Sequence, residues 1–107
     1  MTNERLEKVV DEVVKEIVSG LGSKGKEYSD DMDRLRNFKD AANFNDTTTL
    51  MALWGFVTKH IIAIKEFIIR DSLDEPVTEE QWNEKIYDII RYMVLLKALL
   101  VERREEK

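Results

Sequence analysis

The stretch from about residue 48 to 71 limits what this chain can fold into more than any other part of it. Leu50, Met51, Leu53, Trp54, Phe56, Val57, Ile61, Ile62, Ile64, Phe67, Ile68 and Ile69 spread around most of a helical circumference. The polar exceptions Lys59, Lys65, Glu66 and Arg70 share one narrow strip with Gly55 and Ala63, and His60 stands at its border. Such a helix needs apolar cover on more than one side, so it is either central in its domain or part of a subunit interface. Asp46, Thr47 or Thr48 can cap its start.

The rest of the chain reads as helices that would supply that cover. Leu6, Val9, Val10, Val13, Val14, Ile17 and Val18 recur at helical spacing, opposite Glu7, Lys8, Asp11, Glu12, Lys15 and Glu16, which predicts an amphipathic helix over about 3–19. Its many β-branched valines are mediocre helix formers, so packing must hold it, and Gly20 and Gly22 are stop signals. A second helix is expected over about 28–43, capped by Ser29 or Asp30. Tyr28, Met32, Leu35, Phe38 and Ala42 would share its apolar face, and Asp33, Asn37 and Asp40 its polar edge. After Pro76, the run Thr78-Glu79-Glu80-Gln81 is a capping box that opens a last helix over about 79–104. Trp82, Ile86, Ile89, Ile90, Met93, Leu96 and Leu100 form its core face. The expected fold is all-α: one domain spanning residues 1–107, a compact bundle of about four helices packed largely antiparallel because the connections are short. Trp54 and Trp82 are expected to anchor the core.

Composition excludes several function classes. With no cysteine, disulfide scaffolds and thiolate metal sites are ruled out, and His60 is the single histidine. A formal charge of −5 provides no overall field for a nucleic-acid backbone, so duplex binding is not expected, although a local basic patch can still hold one phosphorylated ligand. The start Met1-Thr2-Asn3-Glu4-Arg5 has no apolar signal-peptide core, and purely apolar runs stop at about four residues, so neither export nor a membrane span is expected. The expected location is cytoplasmic.

Four polar groupings carry candidate chemistry, and each has a structural reading beside the functional one. Lys24-Gly25-Lys26-Glu27-Tyr28 places two ammonium groups before a helix start, which suits a phosphate or simply a solvated turn. Asp33 and Asn37, with Glu27 and Asp30 near the start of the same helix, suit Mg²⁺, or are acids that the helix dipole favours anyway. Lys59 and His60 interrupt an apolar helix and require a partner, either a carboxylate such as Asp88 or an anionic ligand. Glu84, Asp88, Arg91 and Tyr92 form a mixed polar edge that a solvated charge network also explains. Nothing here resembles a nucleophile elbow or a P-loop.

Lys24-x-x-Glu27-Tyr28, Asp33-Arg34-Leu35-x-Asn37-Phe38, Lys59-His60 and Asp88-Ile89-Ile90-x-Tyr92 together resemble a family of small phage and prophage proteins. It is the nucleotide modification associated domain 1 family, formerly a domain of unknown function. It is distantly similar to all-α NTP pyrophosphatases of the MazG type. The resemblance spans roughly residues 24–100; its Asp-Arg-Leu-x-Asn-Phe and Lys-His elements are the more specific parts. It implies a helical, oligomeric, nucleotide-related protein. A ligand would then be held by Lys24, Tyr28, Arg34, Asn37, Lys59 and His60, and Mg²⁺ by Glu27, Asp33 and Asp88. MazG-type enzymes are known by Glu-Glu-x-x-Glu and a later Glu-x-x-Asp. This chain departs from both, with only Glu66 in the third helix and Glu84-x-x-x-Asp88 in the fourth.

The expected function is therefore binding of a nucleotide or related phosphorylated metabolite, with Mg²⁺-dependent pyrophosphohydrolysis as its enzymatic form. Two alternatives stand beside it. One is metal-free sequestration of a host nucleotide signal; the other is a purely structural homo-oligomeric interaction protein.

Overall fold

The structure is a computed structural model, and it describes residues 1–22 and 33–106. Four helices follow in order: α1 (Asn3–Gly22), α2 (Arg36–Phe44), α3 (Thr49–Ser72) and α4 (Glu79–Glu105). The described residues contain no strand, so the chain is the all-α bundle its periodicity predicts. No helix among them is long and apolar enough to cross a membrane.

Local chemistry sets the helix ends. The Thr48 hydroxyl accepts from Met51 N at 3.1 Å and caps α3. Thr78 and Gln81 close the expected capping box on α4: Thr78 Oγ1 accepts from Gln81 N at 3.1 Å, and Thr78 N donates to Gln81 Oε1 at 3.0 Å. Between α2 and α3, Asp46 adopts φ 53°, a left-handed conformation that a short polar side chain tolerates.

The start of α2 differs from expectation. Residues 33–35 form a turn, and helical structure begins at Arg36; the expected first turn from 28 to 32 lies outside the described residues. The Asp33 side chain holds the turn, its Oδ1 accepting from Leu35 N at 2.9 Å, a local bond that competes with helix formation. Its Oδ2 takes Lys39 Nζ at 2.7 Å, and the same ammonium reaches Glu102 Oε1 at 2.6 Å. Hydrogen bonds from Asp33 and then Glu102 hold the Lys39 ammonium well above its ordinary range. Lys39 thereby ties the turn before α2 to the C-terminal end of α4.

Helices α3 and α4 pack as an antiparallel pair. Phe67 meets Trp82 near the connection, with 5.4 Å between ring centroids, while further along His60 meets Tyr92 at 5.4 Å and Phe56 meets Tyr92 at 6.3 Å. Positions descend on α3 as they ascend on α4. Helix α2 lies on α3, and α1 on α4. Leu35, Phe38, Leu53, Val57 and Leu99 form the buried core, with Leu50, Phe56, Tyr92, Leu95 and Leu96 packed around it.

Much apolar surface stays outside this core. Helix α1 buries only Ile17 and Gly20, leaving Leu6, Val9, Val10, Val14 and Val18 exposed. Helix α3 packs between α2 and α4 but buries only part of its apolar circumference. Its inner face carries Leu53 and Val57, whereas Met51, Trp54, Ile61, Ile62, Ile68 and Ile69 on its outer side are exposed. Trp54, expected in the core, stands at 51% exposure because the Leu53–Val57 face, not its own, meets α2 and α4. Trp82 is half-buried against Phe67.

Candidate functional site

Helices α1, α3 and α4 enclose a cleft of about 1090 Å³, to which α2 contributes Asn37. Helical spacing builds its walls. Side chains four apart share a face, so α4 presents two adjoining rows, Glu80-Glu84-Asp88-Tyr92 and Glu79-Asn83-Tyr87-Arg91. Opposite them α1 presents Glu12, Glu16 and Gly20, and α3 adds Phe56 and His60. Glu12, Glu16, Glu79, Glu80, Glu84 and Asp88 face Arg91 and His60, so the cleft is strongly negative.

Arg91 organises the α1 side. Its guanidinium donates to Asp88 Oδ1 at 3.0 Å and to the Glu16 carbonyl at 2.9 Å, so one side chain locks α1 against α4. Gly20 makes this possible: a Cβ at that position would overlap the guanidinium. The glycine expected to stop the first helix lies inside it and supplies clearance for a cation, while α1 continues to Gly22.

The floor is aromatic. Phe56 and Tyr92 stack with an interplanar angle of 10°, and the His60 ring tilts 37° against Tyr92. His60 Nδ1 lies 3.8 Å from Asp88 Oδ2, too long for a hydrogen bond. Among the described residues, His60 Nδ1 and Arg91 Nε are both buried and meet no hydrogen-bond partner, a state that typically costs about 1–3 kcal/mol for each group. Partial burial, followed by the carboxylates of Glu12, Glu16 and Glu79, raises the Tyr87 phenol above its ordinary value, against an opposing pull from Arg91.

Tyr87 yields a pH prediction. Its folded value lies above its unfolded one, so in the window above about pH 10 the folded chain holds the proton more tightly. The stability it contributes is complete below that window and is lost as pH rises through the folded value. A phenolate absorbance titration of the protein should contain an alkaline-shifted component that Tyr87→Phe removes. An unchanged high-pH limb in the variant would show that Tyr87 does not sense the carboxylates.

Several expected site residues gather here and others do not. Asn37, His60 and Asp88 line the cleft together. Lys24, Glu27 and Tyr28 lie outside the described residues. Lys59 is exposed and does not line the cleft, so the cost of desolvation that called for a partner does not arise. Arg34 Nη2 donates to the Leu21 carbonyl at the end of α1. Asp33 is not brought to Asp88. Asp33 reaches α4 through Lys39 at the level of Glu102, about 20 Å along the helix axis from position 88 at 1.5 Å per residue. Among the described residues no group of three His, Asp or Glu side chains is placed to hold a metal ion; the expected Mg²⁺ set of Glu27, Asp33 and Asp88 includes Glu27, which lies outside them.

The residues not anticipated as a site are Glu12, Glu16, Glu79, Glu80 and Tyr87. A signal for them exists. Glu12 with Glu16, and Glu80 with Glu84 and Asp88, are like charges one turn apart, each pair costing an isolated helix a few tenths of a kcal/mol. Two such acidic stretches facing one cleft mark surfaces that work against each other or against a cation. The chain matches no protein-family model, no curated protein and no solved structure.

Proposed function

We propose that the chain binds a nucleotide or related phosphorylated metabolite in the cleft between α1, α3 and α4. The observation that carries this reading is the convergence of a ring floor (Phe56, His60, Tyr92) with Asn37, Asp88 and facing carboxylate rows from α1 and α4. An aromatic base suits the floor, and Asn37 and His60 present donors and acceptors for its edge. Bare phosphates would be repelled by the carboxylates. The ligand is therefore taken up as its divalent-cation complex, in which a largely hydrated Mg²⁺ needs only one or two carboxylates besides the phosphates. The described residues offer no ready-made cage for a resident ion, and no catalytic step is assigned to one. The resemblance to the phage nucleotide-related family supports the same ligand class.

The test is a thermal-shift screen of nucleotides, deoxynucleotides and cyclic dinucleotides with and without Mg²⁺. A ligand at a hundred times its dissociation constant stabilises the fold by about 2.7 kcal/mol. Stabilisation that requires both nucleotide and Mg²⁺ is the expected result, and product analysis of such a hit separates binding from pyrophosphohydrolysis. A metal-independent hit would replace this reading by sequestration of the free ligand. The exposed outer face of α3 favours a second reading, a homo-oligomeric structural protein, which predicts no response to any ligand.

A further inference from the structure

The outer face of α3 has a pattern of its own. Met51, Trp54, Thr58, Ile61, Lys65, Ile68 and Ser72 follow a spacing of three and four, with Gly55, Ile62 and Ile69 alongside. This is the spacing of a helix–helix seam, and it borders the buried Leu53–Val57 face while its own large side chains stay partly exposed. Its six large apolar side chains are between 41% and 57% exposed. Together they leave on the order of 600 Å² of apolar surface, the upper end of the largest patch on a typical monomer. With Lys65 on the seam and Lys59 and Glu66 at the rim, the face approaches the about 800 Å² per partner of a standard interface.

We propose that two copies of this chain pair through the outer faces of α3, antiparallel, about a two-fold axis near Ile61 and Ile62. The charges select the direction. Lys65 is the one ionic group on the seam. Parallel two-fold pairing would set Lys65 directly against Lys65 of the second copy. Antiparallel pairing sets it near the second copy's Thr58, and brings Glu66 toward the second copy's Lys59. Gly55 leaves bare backbone with open space around it, so a bulky side chain from the second copy, in the region of Ile69, can lie against it. An isologous contact of this kind closes on itself and hides the seam completely in a dimer. The cleft opens on the other side of α3, through Phe56 and His60, so pairing does not obstruct it. This inference is independent of the ligand reading.

The chain has no cysteine, so single introduced cysteines report proximity without background. Light scattering on the full chain is expected to give a dimer or a multiple of it, and Ile62→Glu, near the axis, to reduce the apparent mass by half. Under oxidation, Ile61→Cys should link to itself. Trp54→Cys alone should not, but should link when mixed with Ile68→Cys. A monomer for the unsubstituted chain, or an Ile62→Glu variant that keeps its mass while Val10→Glu on α1 loses it, would overturn the α3 interface. Self-linking of Trp54→Cys would overturn the antiparallel direction. Circular dichroism on Ile62→Glu separates dissociation from unfolding.

Discussion

Phe38→Ala should destabilise the protein by about 3–5 kcal/mol, the range for deleting a well-packed aromatic side chain. A domain of this size has about 5–15 kcal/mol in total. The expectation rests on how few side chains are buried in the described chain. Phe38, at 2% exposure, stands edge-on to Phe56 at 5.6 Å and to Tyr92 at 6.2 Å, so one ring joins α2 to both long helices. Its removal leaves a cavity between three helices that neighbours on rigid backbones fill poorly. In thermal unfolding the variant should melt roughly 15–25 °C lower, using a few degrees per kcal/mol for a domain near 100 residues. A loss below about 1 kcal/mol would mean that the core lies elsewhere. Trp54→Ala provides a contrast. Its ring is half-exposed in a single copy, so its cost should depend on protein concentration if α3 pairs with a second copy.

Asp88→Asn should weaken nucleotide–Mg²⁺ binding by about a hundredfold, near 2.7 kcal/mol. The substitution keeps the shape of the side chain and an oxygen to accept from Arg91, so the lock between α4 and α1 stays in place and the change is largely one of charge. Helix content and melting temperature without ligand should move little. His60→Ala should also lower affinity for the Mg²⁺ complex, because the ring forms part of the floor beside Tyr92. Asp33→Asn should leave affinity unchanged, since Asp33 binds Lys39 and the Leu35 amide away from the cleft. These affinities can be measured by isothermal titration with the hit from the ligand screen. If Asp33→Asn abolishes binding while Asp88→Asn does not, the ligand sits elsewhere and the cleft assignment is wrong.

The identity of the secondary structure was legible in the sequence because helical periodicity and capping chemistry act within a few residues. The Thr78–Gln81 box, the Thr48 cap and the apolar stripes of three long helices are all local facts. Asp33 was less legible, because an acid at a helix start and an acid holding a turn by its own side chain have the same sequence. Gly20 was read as a helix stop because nothing near it in sequence announces a guanidinium arriving from a residue 71 positions later.

For the candidate site, the sequence named Asn37, His60 and Asp88, three residues that do share one cleft. It did not name Glu12 and Glu16, whose charged face reads as ordinary solvated surface until α4 brings Glu84 and Asp88 opposite. The sequence by itself determined that the chain is helical, where three of its four helices end to within a few residues, and that α3 has more apolar surface than one face can bury. Only the tertiary structure decided which of the two apolar faces of α3 turns inward and which acidic rows face each other. It also decided that Asp33 reaches α4 through Lys39 at Glu102, well beyond Asp88 along that helix. The physical reason is range. Backbone hydrogen bonding and side-chain periodicity are settled between near neighbours, whereas a cleft or an exposed seam is settled by which helix faces meet.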